Sequence, residues 1–331
     1  MELTYAYQEW PYAETFRISR GASTVSPLFL AVLRDGEHWG RGECGVLSQY
    51  GETPEDVRRH FEAAYALLRP GVTREDLARE VKNSSVRNAL DCALWDLECR
   101  RAGTDIWALT GVRRPPRLEV DLTISVNDTE KMVVDARRAA ARGFQILKLK
   151  ADQHDVIARV SAVAAAVPSM RLIVDANEAW DFDSLSRLSQ DLADLGVVLI
   201  EQPLHHQADE PLVGYKGPVP LCADESCRDI GDLERLSTRY QAINIKLDKV
   251  GGLTGGLALA RAAVDRGLDL MVGCSGPTSL GAAPAYVLGA QARYLDLDGP
   301  ALLLEDRAHA MRYVSGHLEA PNAELWGGGQ P

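Results

Sequence analysis

Residues 172–175 read Leu-Ile-Val-Asp and residues 197–201 read Val-Val-Leu-Ile-Glu, so two short apolar runs each end in an acid. Short runs that are apolar throughout predict strands buried on both faces, as in a parallel sheet. Runs of the same kind occur on both sides of this pair, separated by segments long enough for a crossover helix. Strands that alternate with helices predict an α/β architecture with a parallel sheet.

This alternation begins after Pro115-Pro116 and predicts eight strands. They are Leu118–Val126, Gln145–Lys150, Leu172–Asp175, Val197–Glu201, Pro220–Asp224, Ala242–Lys246, Leu270–Gly273 and Tyr294–Asp298. Three intervening segments show clear helical spacing of apolar residues: Val156–Val167, Phe182–Leu195 and Leu253–Gly267. Eight such strands in about 180 residues favour a modified TIM barrel, (β/α)7β, over the alternative of an open doubly wound sheet.

Polar or small residues end the strands at nearly constant intervals of 22 to 27 residues. The series is Thr123, Lys150, Asp175, Glu201, Asp224, Lys246, Gly273 and Asp296. Charged groups at the end of an apolar strand are costly unless they line a site. In a barrel all strand ends meet at one rim, which is where barrel enzymes carry out chemistry. The spacing therefore supports the barrel and places its active site at this rim.

Three acids close successive strands: Asp175, Glu201 and Asp224. Carboxylates that converge in a confined space cannot all stay ionised without a cation. A ligand set of oxygen atoms alone suits a hard divalent ion, Mg²⁺ or alternatively Mn²⁺. The competing interpretation pairs each acid with a helix N-terminus or a basic side chain.

Lysines supply the opposite charge at the same rim. Lys148 and Lys150 lie two apart on one strand, so both ammonium groups point to the same face. Lys246 comes from the sixth strand, which lies across an eight-stranded barrel from the second. Near a dication, we expect the pKa of these lysines to fall toward the range of a general base. Lys249 is predicted to lie beyond the strand as a loop charge.

Two opposed bases around a metal-bound carboxylate have a definite chemical use. One base removes the proton next to the carboxylate, and the dication stabilises the negative charge that develops. The other base returns a proton from the opposite face, so the configuration of the carbon inverts.

The residues before the barrel predict a separate α+β unit, with boundaries at 1–112 for this unit and 113–302 for the barrel. Asp35-Gly36 is a two-residue turn that joins the strands Leu28–Leu33 and His38–Glu43 in a hairpin. Thr53-Pro54 starts a helix, and a second helix runs from about Ser85 to Gly103. Residues 326–329, Trp-Gly-Gly-Gly, are expected to form a flexible end.

Composition limits the partners and the compartment. The 331 residues are 46% hydrophobic and carry a formal net charge of −11, which disfavours nucleic acid and anionic membrane surfaces. No apolar run approaches the roughly 20 residues of a membrane span, and the N-terminus lacks the pattern of a secretory signal. The six cysteines form no Cys-x-x-Cys pair, which favours reduced thiols in a cytoplasmic protein.

Taken together, these motifs resemble the enolase superfamily, specifically its muconate-lactonizing-enzyme subgroup, over nearly the whole chain. The residues that carry the resemblance are the Lys148–Lys150 pair, the three spaced acids and the segment Lys246–Gly252. A lysine or histidine base with Mg²⁺ is general in that superfamily. The resemblance implies a capping domain at 1–112, to which a segment of about 303–331 returns. It also implies metal ligation by Asp175, Glu201 and Asp224, acid/base roles for Lys150 and Lys246, and assistance from Lys148 to the bound carboxylate.

Within the subgroup the chain is similar to the dipeptide epimerases of the L-Ala-D/L-Glu type. The similarity rests on Ser85–Leu97, Asn244–Gly255 and the Asp296-Leu297-Asp298-Gly299-Pro300 segment. It implies a dipeptide substrate whose α-ammonium group binds to Asp296 and Asp298, and a place in murein-peptide recycling. Period-two spacing agrees, because it turns both carboxylates inward. Thr123 and Cys274 match positions that contact substrate. The sequence leaves open whether the chain forms a homo-oligomer.

One position departs from the Glu-specific relatives. Phe16-x-x-x-Arg20-Gly21 fits their motif, but Ser23 occupies the position of the arginine that meets the glutamate side chain. The loops Gly21–Ser26 and Gly45–Gly51, the second of which contains Tyr50, are therefore expected to set the preference for the second residue. Three alternatives stay open: an N-acylamino-acid racemase, an o-succinylbenzoate synthase-type lyase, and a non-catalytic binder on the same barrel.

Overall fold

The structure is a computed structural model that describes residues 1–69 and 71–328. Its N-terminal part is an antiparallel sheet in the order β1 (Glu2–Ile18), β2 (Gly21–Asp35) and β3 (His38–Gly45). Four helices follow: α1 (Pro54–Ala64), α2 (Arg74–Glu80), α3 (Ser84–Ala102) and α4 (Ile106–Thr110). Short 3₁₀ turns cover Ser48–Tyr50 and Tyr65–Leu67.

The local signals that predicted this part are confirmed, apart from the position of one turn. The hairpin is present, but Asp35 pairs with His38 at the end of β2, so the two-residue turn is Gly36-Glu37 and not Asp35-Gly36. The Thr53 side chain accepts the backbone N–H of Asp56, and this capping box starts α1. Helix α3 starts after Asn83 and ends at Gly103, whose φ of 59° is the left-handed conformation that glycine adopts without strain.

Strand β3 lies directly on α3 because two of its residues have no side chain. A Cβ atom at Gly40 would clash with the backbone at Ala93 and Leu97, and one at Gly42 would clash with the Ala89 carbonyl oxygen. The close approach buries α3 between this sheet and the rest of the molecule.

The second part is an eight-stranded parallel sheet, as predicted from the spacing of the apolar runs. A short strand, β4 (Arg117–Glu119), precedes it. The eight strands are β5 (Leu122–Ile124), β6 (Ile146–Lys150), β7 (Arg171–Asp175), β8 (Val197–Glu201), β9 (Leu221–Ala223), β10 (Ala242–Lys246), β11 (Asp269–Gly273) and β12 (Tyr294–Asp296).

Helices connect these strands, and the three predicted from helical spacing are confirmed as α6, α7 and α10. The full set is α5 (Thr129–Ala141), α6 (Val156–Ala166), α7 (Phe182–Asp194), α8 (Leu233–Leu236), α9 (Leu247–Val250), α10 (Leu253–Val264), α11 (Ser279–Gly289) and α12 (Gly299–Leu302). Two 3₁₀ turns cover Glu210–Leu212 and Ile230–Asp232.

The prediction of one continuous strand over Leu118–Val126 is wrong. β4 pairs with a C-terminal hairpin, β13 (Tyr313–Val314) and β14 (His317–Glu319), and only β5 belongs to the eight-stranded sheet. The chain changes partner within two residues: the Val120 N–H donates to Gly316 O, and the Asp121 N–H donates to Leu295 O.

The first and last strands of the sheet meet along a line that we call the seam, formed by residues 121–123 and 295–298. The Asp121 N–H donates to the Leu295 carbonyl at 3.0 Å. Two residues later, the Thr123 N–H donates to the Asp298 carboxylate at 2.6 Å. These contacts bring β5 and β12 together, as the barrel prediction requires.

The prediction of a flexible end at residues 326–329 is wrong for the described residues, while Gly329 lies outside them. Trp326 is buried, and its indole N–H donates to the Cys92 carbonyl on α3 at 2.9 Å. The Arg41 guanidinium donates to the Leu325 carbonyl at 2.6 Å. An indole ring outweighs the flexibility of the following glycines because it buries a large apolar area.

Buried Glu43 on β3 links the N-terminal sheet to the barrel. Its carboxylate accepts the Thr278 N–H at 2.8 Å and the Thr278 hydroxyl at 2.6 Å. Arg307 donates to the same carboxylate at 2.9 Å through Nε.

The domain boundaries stay as we proposed them from the sequence. The capping domain is 1–112 together with the returning segment 303–331, and the barrel is 113–302. Among the described residues, no helix combines the length and apolarity needed to cross a membrane.

Candidate active site

Strand register brings the predicted site residues to one end of the barrel. Lys150 pairs with Asp175, and Asp175 pairs with Glu201 on the next strand. Asp224 follows β9 directly, and Lys246 is the last residue of β10. Parallel strands in this register end at the same level, so these five strands, β6 to β10, contribute to one rim.

A cavity of about 210 Å³ opens at this rim. Its polar lining includes Thr123, Lys150, Asn177, Asp224, Glu225, Lys246, Cys274, Asp296 and Asp298. Residues of the N-terminal sheet and the following loop cover it, among them Tyr12, Phe16, Ile18, Arg20, Val46 and Gln49. Lys150 on β6 and Lys246 on β10 are four strands apart in an eight-stranded barrel, so they come from opposite walls of the cavity.

Lys148 lies below the cavity and is fully buried among acids. Its Nζ is 2.8 Å from Glu201 Oε2, 3.1 Å from Asp175 Oδ2 and 2.7 Å from Asp296 Oδ2. One ammonium group therefore links two of the expected metal ligands to one of the expected ammonium-binding acids. Glu201 also accepts a hydrogen bond from the Asn244 amide at 2.8 Å.

Each expected base is hydrogen-bonded to an expected metal ligand. Lys150 Nζ donates to Asp175 Oδ2 at 2.7 Å, and Lys246 Nζ donates to Asp224 Oδ2 at 2.8 Å. All four groups are buried. Charge-assisted hydrogen bonds of this length orient both lysine side chains toward the cavity wall.

The surrounding protein groups shift the pKa of Lys148 and of Lys246 in the direction opposite to the one we expected from the sequence. Burial by itself would lower the pKa of Lys148, but Asp296, Glu201 and Asp175 outweigh it and raise that pKa well above its ordinary value. The pKa of Lys246 is likewise raised, because Asp224 outweighs burial. The sequence expectation included the charge of a dication, and the surrounding carboxylates act in the other direction.

The acids respond to the same surroundings. The pKa of Asp224 is well below its ordinary value, because Lys246 and Lys249 outweigh burial. Burial and Asp175 raise the pKa of Glu201 to about 7.

The residues present fit a hard divalent cation. Asp175, Glu201 and Asp224 offer only carboxylate oxygens, the donor type that Mg²⁺ prefers. Asn177 adds a buried amide Oδ1 that has no hydrogen-bond partner among the described residues. Its backbone N–H donates to Asp175 Oδ1 at 2.9 Å, which keeps it beside that carboxylate.

The two acids at the end of β12 take different positions. The predicted strand Tyr294–Asp298 is too long, since β12 ends at Asp296 and Asp298 lies at the start of α12. Both carboxylates are still buried and line the cavity. Thr123 and Cys274 line the same cavity, so four of the five predicted substrate-binding residues come together there, and the fifth, Lys148, contacts Asp296.

The prediction that Lys249 is a loop charge is wrong. Lys249 is buried, and its Nζ donates to Asp224 Oδ1 at 2.6 Å, to Asp224 O and to Asn244 O. Helix α9 starts at the strand end, and this single turn directs Lys249 back beneath Asp224. Spacing could not have revealed this position, because Lys246 ends strand β10 while Lys249 lies on the one-turn helix that follows it.

Arg20 is a further residue at the rim whose contacts the sequence did not reveal. Its guanidinium lies 2.8 Å from Glu225 Oε1 and 3.1 Å from Glu178 Oε2, and it donates to the Asn177 carbonyl at 2.9 Å. Asn177 and Glu178 both have positive φ, at 42° and 69°. The turn between β1 and β2 therefore holds a strained segment directly after Asp175.

The two predicted specificity residues, Ser23 and Tyr50, do not line the inner cavity. Ser23 is exposed and lines an outer cavity next to Phe16 and Ile18, where its hydroxyl donates to the Val25 carbonyl at 2.6 Å. The Tyr50 hydroxyl donates to the Glu225 carbonyl at 3.0 Å. Ser23 therefore lies beside the mouth of the site, and Tyr50 contacts the backbone next to Asp224.

Known proteins share this architecture and sequence. Residues 131–324 match the family model described as enolase C-terminal domain-like. The L-Ala-D/L-Glu epimerase of Escherichia coli K12 is 39% identical over 311 residues, covering 94% of this chain and 97% of that protein. An N-acetyl-D-glutamate racemase of a Pseudoalteromonas species is 40% identical over 303 residues, covering 91% and 95%.

Solved structures agree with these sequence relatives. An enolase family member from Agrobacterium tumefaciens, with homology to dipeptide epimerases and with bound sodium and L-Ala-L-Glu, superposes with a TM-score of 0.94. It is 40% identical and covers 98% of this chain and 99% of that one. A dipeptide epimerase from Enterococcus faecalis, complexed with Mg and L-Leu-L-Tyr, has a TM-score of 0.90 at 25% identity and covers 97% of each chain. The present chain therefore belongs to the enolase superfamily, in the muconate-lactonizing-enzyme subgroup that includes the dipeptide epimerases.

Proposed function

We propose that this protein is a Mg²⁺-dependent dipeptide epimerase that inverts the α-carbon of the C-terminal residue of a dipeptide such as L-Ala-D/L-Glu. The observation that carries the proposal is the pair of lysines, Lys150 and Lys246, on opposite walls of one buried cavity. At the same end of the barrel lie three carboxylates that fit a dication and two that fit an ammonium group. Relatives with these activities cover almost the whole chain.

The reaction needs two bases because the proton leaves and returns on opposite faces. One lysine, in its neutral form, takes the α-proton, and the electron pair is delocalised into the substrate carboxylate as an enediolate. The other lysine, as an ammonium group, delivers a proton to the opposite face. Lys148 lies between Asp175 and Glu201 and contributes a fixed positive charge beside the substrate carboxylate.

Asp175, Glu201 and Asp224 would hold Mg²⁺, and Mn²⁺ is an alternative with the same oxygen ligands. The bound dication supplies positive charge that stabilises the developing negative charge on the substrate carboxylate. Asp175 and Asp224 also orient the two lysines through direct hydrogen bonds, so each carboxylate has a second role in positioning a base.

Asp296 and Asp298 favour a dipeptide over an N-acylated amino acid. Two buried carboxylates that face a cavity are stabilised by a cationic substrate group, which the free α-ammonium of a dipeptide supplies. The similarity to an N-acetyl-D-glutamate racemase keeps N-acylamino-acid racemisation as the second candidate.

The charged groups near Ser23 do not favour a dipeptide whose second residue is acidic. Arg20 lines both the inner and the outer cavity, but its guanidinium already contacts Glu178 and Glu225. We propose that neutral second residues are accepted at least as well as glutamate.

We also propose a cytoplasmic location, supported by the six free thiols. A role in murein-peptide metabolism is a further proposal, supported by the similarity to the L-Ala-D/L-Glu epimerase of E. coli.

The decisive experiment is incubation of the full chain with Mg²⁺ and a panel of L-Ala-L-Xaa dipeptides, including L-Ala-L-Glu, in D₂O. We expect one deuterium at the α-carbon of the C-terminal residue, together with inversion of that carbon. The double substitution Asp296→Asn with Asp298→Asn should abolish this turnover. Exchange on N-acetylamino acids that survives the double substitution, without any exchange on dipeptides, would favour the racemase instead.

A further inference from the structure

Asp121 is a buried acid next to the site for which the proposed reaction has no use. Its side chain is fully buried, and neither carboxylate oxygen has a hydrogen-bond partner among the described residues. Its backbone N–H closes the seam by donating to the Leu295 carbonyl. A buried carboxylate without a partner is energetically costly, so its presence calls for an explanation.

The position of Asp121 connects it to the two acids that face the substrate. It directly precedes β5, two residues before Thr123, whose side chain lines the cavity. Asp121, Asp296 and Asp298 each offer a carboxylate oxygen within 4.8 Å of the other two. Asp296 already has Lys148 as a partner, and Asp298 already accepts the Thr123 N–H. Asp121 is the only member of the three whose two oxygens both lack a partner among the described residues.

Three carboxylates this close cannot all be ionised. Burial, together with the charges of Asp296 and Asp298, raises the pKa of Asp121 well above its ordinary value, and Lys148 opposes this only in part. Burial and Asp296 also raise the pKa of Asp298, to about 6, but Asp298 accepts the Thr123 N–H, whereas neither oxygen of Asp121 has a partner among the described residues. We therefore assign the proton that the group of three retains to Asp121. A protonated carboxyl group is a hydrogen-bond donor, and oxygens of Asp296 and Asp298 lie within 4.8 Å of an Asp121 oxygen.

We propose that Asp121 is a positioning residue whose carboxyl O–H donates a hydrogen bond to the Asp296–Asp298 pair. This hydrogen bond keeps the pair ionised for the ammonium group of the substrate. Asp121 is not part of the cavity lining, so it acts through the other two acids. The inference rests on the proposed dipeptide substrate, because only a free ammonium group requires both carboxylates in their charged form.

Two substitutions separate this role from simple packing. Asp121→Asn keeps the shape and a donor but can never carry a charge, whereas Asp121→Leu keeps the branching at Cγ, adds volume and removes the donor. The substrates are the dipeptide that the wild type epimerises fastest and, as an inhibitor, its analogue that lacks only the α-amino group. For L-Ala-L-Glu that analogue is N-propionyl-L-glutamate.

We expect Asp121→Asn to retain kcat/KM within about 3-fold of the wild type. Asp121→Leu should raise the KM for the dipeptide by about 10-fold or more while kcat stays within about 3-fold. The inhibition constant of the deaminated analogue should not change in either variant, because that molecule makes no ammonium contact.

Other results overturn the inference. If Asp121→Asn raises KM as much as Asp121→Leu, Asp121 acts as a third negative charge and not as a donor. If Asp121→Leu lowers kcat as well as raising KM, the residue only supports the fold. The same conclusion follows if the inhibition constant of the deaminated analogue rises as much as KM does. If the wild type turns over no dipeptide, the proposed function fails, which is a separate outcome.

An infrared measurement keeps the inference testable if Asp121→Leu does not fold. The wild type at neutral pH should show the C=O stretching band of a protonated carboxylic acid, and Asp121→Asn should lose that band. A wild-type spectrum without this band at Asp121 contradicts the inference.

Discussion

Lys150 and Lys246 are chemically equivalent but approach the substrate from opposite sides, so their removal should have mirror-image effects. We expect Lys150→Met and Lys246→Met each to lower epimerisation by at least about 10³-fold, since each removes one proton-transfer group. Each variant should still exchange the α-proton of one diastereomer with D₂O, and the retained diastereomer should differ between the two. The measurement is deuterium incorporation into the L,L and L,D dipeptides, followed by NMR.

The exposed Lys216 provides the matched control, and Lys216→Met should epimerise like the wild type. If both active-site variants exchange the same diastereomer, the two lysines do not act on opposite faces, and the two-base proposal is wrong.

Asp248 gives a pH-dependent prediction at a distance from the expected metal ligands. Burial raises its pKa to about 6, although its carboxylate accepts hydrogen bonds from Asn88 at 2.8 Å and the Gly45 N–H at 3.1 Å. An unfolded Asp titrates near 3.9, so the folded state binds more protons between about pH 4 and pH 6. The stability that protonated Asp248 contributes is therefore lost as pH rises through this window.

Asp248→Asn cannot titrate, so its stability relative to the wild type should improve from pH 4 to pH 7 and then stay constant. Urea unfolding across this range measures the difference. The exposed Asp265→Asn is the control and should follow the wild type at every pH. A constant difference between Asp248→Asn and the wild type would contradict the assignment.

Several site residues could be predicted from their spacing alone, because strand ends in a parallel barrel lie at one level. Asp175, Glu201 and Lys246 belong to this group. Lys249 and Asp121 do not, since their positions depend on a one-turn helix and on the closure of the seam. Sequence periodicity describes regular elements, and neither of these two residues lies within a strand of the barrel.

At the scale of elements, the contact between β3 and α3 depends on two glycines. Gly42→Ala would place a methyl group against the backbone of α3 at Ala89, where no side chain can move aside. We expect a loss of about 3 kcal/mol or more in the free energy of unfolding, at the upper end of overpacking effects. Urea unfolding monitored by circular dichroism measures it.

Gly45→Ala is the matched control in the same strand. Its new Cβ would lie 3.6 Å from Asp248 Oδ2 and from the Ser275 carbonyl, which is ordinary van der Waals contact. A small effect at Gly45 with a large one at Gly42 supports the close approach of β3 and α3. Equal effects would contradict it.

The division of the predicted first strand shows what an apolar pattern cannot specify. Leu118–Val126 has strand character throughout, yet Glu119 pairs with His317 while Leu122 pairs with Leu147. Both halves are extended, and only the partner changes. The identity of that partner depends on a hairpin almost 200 residues away, which no local pattern contains.

At the scale of the whole molecule, Trp326 connects the returning segment to α3. We expect Trp326→Ala to lower the free energy of unfolding by about 3–5 kcal/mol, through the lost apolar burial and the lost hydrogen bond to Cys92. Leu304→Ala, at a side chain that is 68% exposed in the same segment, should change it by less than about 0.5 kcal/mol. Similar values for both variants would show that Trp326 does not anchor this segment.

The return of this segment also has a consequence for how the chain is made. The Trp326 contact with α3 joins residues that the ribosome adds more than 200 positions apart, and the whole barrel is synthesised between them. The sheet of β1 to β3 and α3 therefore emerge well before the segment that covers part of their surface. Until that segment is made, this surface is exposed apolar area of the kind that chaperones bind. The contact at Trp326 can form only after the barrel between its two partners has been synthesised.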